Sequence, residues 1–222
     1  MHRTEEFLEF LAGRDNTLTL DLAALEVAAL DHAPVDRAGP LLLLDHWAEA
    51  VRKNLGGSSD GARFLAAMNR VLFQEVGFQG DVENYHDSAN SCLDSVIANR
   101  RGMPISLSVL YMEVARRLGR QVEGLALPAH FLCRYSEEGL CVFVDPFHSG
   151  RLMTEEDCVE LVSEINGQAL EFDPRSFPAA GPRLIIHRMI NNLRTSYSMQ
   201  GRIQDVMRIS SLQQATWGSQ IK

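Results

Sequence analysis

Three residues whose types could act in concert stand far apart in this chain: Ser106, His130 and Asp145. A hydroxyl beside an imidazole that a carboxylate orients is the arrangement of nucleophilic acyl transfer, with the imidazole taking the hydroxyl proton during attack. Serine is confined to that general-base route, because an alkoxide is far too basic for a helix dipole worth about 1 kcal/mol to stabilise. Ser106 falls in the first turn of a helix expected to open at Pro104, where free backbone N–H groups favour negative charge. His130 is expected at the start of one strand and Asp145 at the end of its antiparallel partner, so the two side chains lie side by side. Asn90, an amide preceding the helix, is the candidate oxyanion donor. A structural reading stands beside this one. A first-turn serine commonly satisfies local backbone groups, and a histidine bonded to an aspartate ties two strands together.

The elements that must position these residues follow from pattern and punctuation. Leu20 to Leu30 carries apolar residues near helical spacing, and Pro40 to Leu55 continues a second helix that Gly56-Gly57 ends. Ser59 or Asp60 caps a third helix, with Phe64, Leu65, Met68, Leu72 and Phe73 on one face and a stop near Gly77. Ala89 to Asn99 reads as a helix, and Pro104 to Leu118 as a longer one closed by Gly119. Strand-like runs follow at 122–127, 130–135 and 140–145, the last two joined by a loop over 136–139. Thr154 with Asp157 makes a capping box for a helix through Ile165. After a proline-rich loop, Leu184 to Met199 and Arg202 to Thr216 read as two final helices. A helical first part followed by mixed elements predicts an α+β protein.

Composition narrows the function classes. The 222 residues carry a formal charge of -8, which disfavours non-specific nucleic-acid binding, since neutralising phosphates needs surplus Lys and Arg. The one basic cluster, Arg116, Arg117 and Arg120, reads as the solvated end of a helix. No stretch approaches the ~20 apolar residues of a membrane span, and the first residues lack a secretory pattern. A cytoplasmic protein with free thiols is the expectation. Cys92, Cys133, Cys141 and Cys158 form no CxxC pair and read as small hydrophobes. Cys133 points away from His130 in a regular strand, and Cys141 is roughly 13 Å from Asp145. His86 and His148 flank the expected cleft, but a metal set of His86, His130 and His148 lacks a local ligand pair. No metal and no cofactor are expected, and no Gly-rich loop points to a nucleotide.

The segment from Gly102 to Gly119 resembles the transglutaminase-like core helix. That pattern has a Cys followed by Ala-Arg nine and ten residues later and by Gly at thirteen; counting back from Gly119 reaches Ser106. Pro128-Ala129-His130-Phe131-Leu132 resembles its histidine strand and Val144-Asp145-Pro146-Phe147 its aspartate strand. Within the superfamily the likeness is to the SirB-type bacterial family, through Asn90-Ser91, the Arg100 to Pro104 turn, Gly124, and the turn from Asp145 to Gly150. The likeness is strongest from Phe78 to Gly150.

The resemblance implies an N-terminal helical region at 1–80, a papain-like core with a small antiparallel sheet at 81–182, and helices at 183–222 that begin a tetratricopeptide-like tail. It also implies a regulatory or scaffold protein whose site, with serine for cysteine, binds a peptide or protein partner. The alternative is a serine-dependent hydrolase or amidase using Ser106, His130 and Asp145; cross-linking is disfavoured without a thiol. An incomplete tail would expose part of the face formed by Leu184, Ile185, Met189, Ile190, Leu193 and Tyr197 and drive a homodimer.

Overall fold

The computed structural model describes residues 2–137, 139–169 and 171–217. Helices α1 (His2–Leu11), α2 (Leu20–Asp31) and α3 (Ala38–Leu55) come first. The apolar residues of α2 leave water almost entirely: Ala23, Ala24, Leu25, Val27 and Ala28 are fully buried. Each large side chain so buried contributes roughly 1.5–3 kcal/mol. The two acids of α2 that go inside find guanidinium partners, Glu26 with Arg37 at 2.7 Å and Asp21 with Arg117 at 2.6 Å. Gly56 ends α3 at a φ of 56°. The Asp60 carboxylate caps α4 (Gly61–Asn69) by accepting from the Arg63 N–H at 2.7 Å. The helix expected to run on through Phe73 instead widens into a π-helical turn, Arg70–Glu75.

Two short parallel segments, β1 (Gln79–Gly80) and β2 (Arg101–Gly102), pair around α5 (Leu93–Asn99). The expected helix from Ala89 is split at Cys92, whose backbone is extended. Before it lies a 3-10 turn, Ser88–Ser91, begun by the Asp87 carboxylate, which accepts from Ala89 N–H at 3.0 Å. Helix α6 (Pro104–Arg117) follows, then β3 (Val122–Leu125), β4 (Leu132–Glu137), β5 (Leu140–Asp145) and β6 (Arg151–Met153). These strands form one antiparallel sheet in the order β3-β4-β5-β6. β6 was not legible as a strand: three residues are too few to show alternation.

Side-chain alternation splits the sheet between two apolar layers. Val122, Cys133, Tyr135 and Val144 join the large core with α6, whereas Leu125, Leu132, Phe143 and Met153 join Cys158 and Val162 of α7 (Glu155–Asn166). The capping box of α7 forms between Thr154 and Asp157. The chain closes with α8 (Pro182–Met199) and α9 (Ile203–Trp217), and the large core runs from Phe7 through α6 to Ile209. The α+β class expected from the sequence is the fold observed. Among the described residues no helix is long and apolar enough to cross a membrane.

Candidate functional site

Pro104 opens α6 without an N–H to leave unsatisfied, and Ser106 stands at its third position. The Ser106 hydroxyl accepts from the Met103 N–H at 3.0 Å and lies 2.6 Å from the Asn90 carbonyl, to which it donates. It is fully buried. A side chain at position 102 would bring its Cβ within 2.8 Å of the Ser106 oxygen, so Gly102 is what lets β2 pass so close. Asn90 meets Ser106 through its main chain. Its side-chain amide donates instead to the Asn84 carbonyl at 2.8 Å and to Asp81 at 3.2 Å.

His130 and Asp145 come together, with 3.0 Å between His130 Nε2 and Asp145 Oδ2. No described hydrogen bond links either of them to Ser106 or to the Asn90 amide. His130 lies two residues before β4 rather than at the start of a strand, in a turn where Ala129 takes a φ of 58°. Arg188 of α8 holds this turn, donating to the Leu127 carbonyl at 3.0 Å and the His130 carbonyl at 3.1 Å. Its guanidinium also lies over the Phe131 ring at 5.8 Å. Helix α8 thus holds the backbone that carries the imidazole.

Asp145 ends β5 and organises the turn after it. One carboxylate oxygen accepts from the N–H groups of Phe147 at 3.0 Å and His148 at 3.3 Å. The other receives His148 Nδ1 at 2.7 Å as well as His130 Nε2. Gly150, at a φ of 74°, folds the chain back; a Cβ there would meet the Phe73 ring at 2.4 Å. Asn69 donates to the Gly150 carbonyl at 2.6 Å, so α4 and its π-turn brace the carboxylate from behind. Burial alone would push the Asp145 carboxyl up. The hydrogen bonds from both imidazoles, with their charge, overcome this and hold it well below the usual carboxylate range. The hydrogen bond to Asp145 raises His148 from its ordinary value. Rings wall the group, with Phe147 5.2 Å from His148 and 5.9 Å from Tyr85.

A family model described as the transglutaminase-like superfamily matches residues 41–191. The chain belongs to this superfamily. It is 34% identical over 191 residues to a UPF0162 protein of Xylella fastidiosa, covering 85% of this chain and 68% of that one. A UPF0162 protein of Pseudomonas aeruginosa is 30% identical over 197 residues, covering 86% of this chain and 70% of its own. Human F-box only protein 21 is 30% identical over 148 residues, which are 63% of this chain and 23% of that protein. No solved structure matches.

On this transglutaminase-like domain no described hydrogen bond joins a cysteine to His130. Burial pushes Cys133 up to about 12 and Cys158 up to about 12, far from a neutral-pH thiolate. Cys133 Sγ faces the Ser108 carbonyl on the α6 side of the sheet. His86 stands apart from the other two histidines, its ring against Tyr85 at 5.2 Å. The sequence reading put His148 beside the cleft without joining it to Asp145, and it missed Arg188. His148 was legible through its place three residues after Asp145 in a tight turn, a spacing that lets a side chain fold back on the acid. Arg188 carried no local signal, since its partners are carbonyls 58 and 61 residues away.

Proposed function

We propose that this chain is a regulatory or scaffold protein of the cytoplasm whose transglutaminase-like domain binds a peptide or protein partner without covalent chemistry. The observation that carries this reading is the Ser106 hydroxyl, buried and engaged by the Asn90 carbonyl at 2.6 Å and the Met103 N–H at 3.0 Å. A nucleophile must reach a carbonyl carbon and pass its proton to a base in contact. This hydroxyl instead serves the start of α6. The likeness to the SirB-type family, with serine at the cysteine position, supports the same reading. So does the matched stretch of human F-box only protein 21, a minor part of a much longer chain. The partner segment lies along the rings of Tyr85, Phe147 and His148, where the His148 side chain is 49% exposed.

The second reading, a serine hydrolase using Ser106, His130 and Asp145, is favoured by one contact, the 3.0 Å imidazole–carboxylate pair. A fluorophosphonate probe on the purified full chain separates the two. The binding reading expects no labelling that Ser106→Ala abolishes, and partner recovery that Phe147→Ser abolishes while Ser106→Ala retains it. Stoichiometric labelling lost in Ser106→Ala overturns it.

A further inference from the structure

The geometry points to a binding site for one divalent transition-metal ion of the Zn2+ class, formed by His130, Asp145 and His148. The three side chains offer His130 Nε2, one Asp145 oxygen and His148 Nδ1, all within 4.8 Å of one another. Two of the separations are 3.0 Å and 2.7 Å. Ligand atoms on a tetrahedral centre with bonds of about 2.0–2.1 Å stand about 3.4 Å apart, so these two separations need to open by about 0.4 Å and about 0.7 Å. Two imidazoles and one carboxylate are a donor set that suits Zn2+, Co2+ or Fe2+ and leaves coordination positions free.

The carboxylate is oriented as a ligand would be. Its second oxygen is fixed by the Phe147 and His148 N–H groups, which aims the first at the two rings. Arg188 donates to the His130 carbonyl and so fixes the backbone from which the ring reaches Asp145. His148 supplies the open side, with its side chain 49% exposed. Each nitrogen comes to the ion unprotonated: the hydrogen each now shares with Asp145 is displaced, and the other nitrogen of the ring carries the N–H.

A second group, Asp31, His32 and Cys92, also brings its ligand atoms within 4.8 Å of one another. There Asp31 already receives Arg202 at 3.0 Å and Tyr197 at 2.9 Å, and His32 is taken by Asp94 at 2.6 Å. Among the described residues no Lys or Arg forms an ion pair with Asp145, whose partners are the two imidazoles. Of the two groups, this is the one whose aspartate has no guanidinium partner for a cation to displace. The site shares His148 with the proposed partner surface, but its test needs no partner, so failure of one reading is distinguishable from failure of the other.

The test is a titration of chelator-treated full-length protein with Co2+, read by visible absorption. One equivalent is expected to bind, giving d–d bands of a four- or five-coordinate ion without a sulfur charge-transfer band. His148→Ala is expected to weaken binding at least 100-fold with unchanged circular dichroism, and His32→Ala to leave it as it is. In the unmodified protein, Zn2+ should shift the ring signals of His130 and His148 alone among the histidines. The proposal is overturned by absence of one-to-one binding, by equal affinity in His148→Ala, or by a sulfur charge-transfer band, which would place the ion on a cysteine.

Discussion

The start of α6 and the turn after β5 lie in the same domain, and both use polar side chains to finish a backbone, but to different ends. At α6 the Ser106 hydroxyl is enclosed, and its bonds run to the Met103 N–H and the Asn90 carbonyl. At the β5 turn the Asp145 carboxylate also binds backbone N–H groups, yet its second oxygen still holds two imidazoles, one of them half exposed. A hydroxyl has one proton and few lone pairs, so closing a helix start uses it up; a carboxylate accepts about four hydrogen bonds and has capacity to spare. In this chain the serine spends its bonds on the start of α6, whereas the buried Asp145 keeps the half-exposed His148 ring beside it.

The sharpest way to break this comparison is to remove the acid. Asp145→Ala leaves two imidazoles and two backbone N–H groups without their acceptor, and should cost about 3–5 kcal/mol in urea unfolding. A loss below about 1 kcal/mol would show that the turn does not depend on it. Gly150→Ala comes next. It forces a side chain into a φ of 74° and against the Phe73 ring, so a cost of about 1–3 kcal/mol is expected, together with altered His148 ring signals. Ser106→Ala should cost about 1–2 kcal/mol, since Asn90 and Met103 lose a buried partner, and it should leave the His130 and His148 resonances in place. Movement of the His130 resonance in that variant would join the two regions and weaken the contrast.

The smallest effect is a pH dependence. His148 is raised in the folded state, so the stability from its contact with Asp145 is fully present below about pH 6.5 and is lost as pH rises through the higher folded value. Asp145 is lowered, so its contribution is present above about pH 3.8 and disappears only as pH falls through the depressed folded value. His148→Ala should flatten stability above pH 6.5 by less than about 0.5 kcal/mol, because solvent at the half-exposed His148 ring screens the contact. A histidine ring titration by NMR checks the direction, and a midpoint for His148 below the ordinary value would contradict it.

The sequence by itself determined most element boundaries, because their signals are local. Pro104 starts a helix, Gly56 stops one, and Thr154 with Asp157 caps another within a few residues of the backbone they act on. It also placed His130 and Asp145 beside each other, since a short loop between paired runs leaves little freedom in register. Tertiary structure alone decided where the polar groups spend their bonds. The Ser106 proton goes to a carbonyl on a segment 16 residues earlier, and Arg188 reaches back across 58 residues to steady the histidine turn. The close approach of Gly150 to Phe73 likewise ties the turn after β5 to a segment far away in the chain. Hydrogen bonds between remote segments leave no period in a sequence, and which of them form is set by how the layers pack.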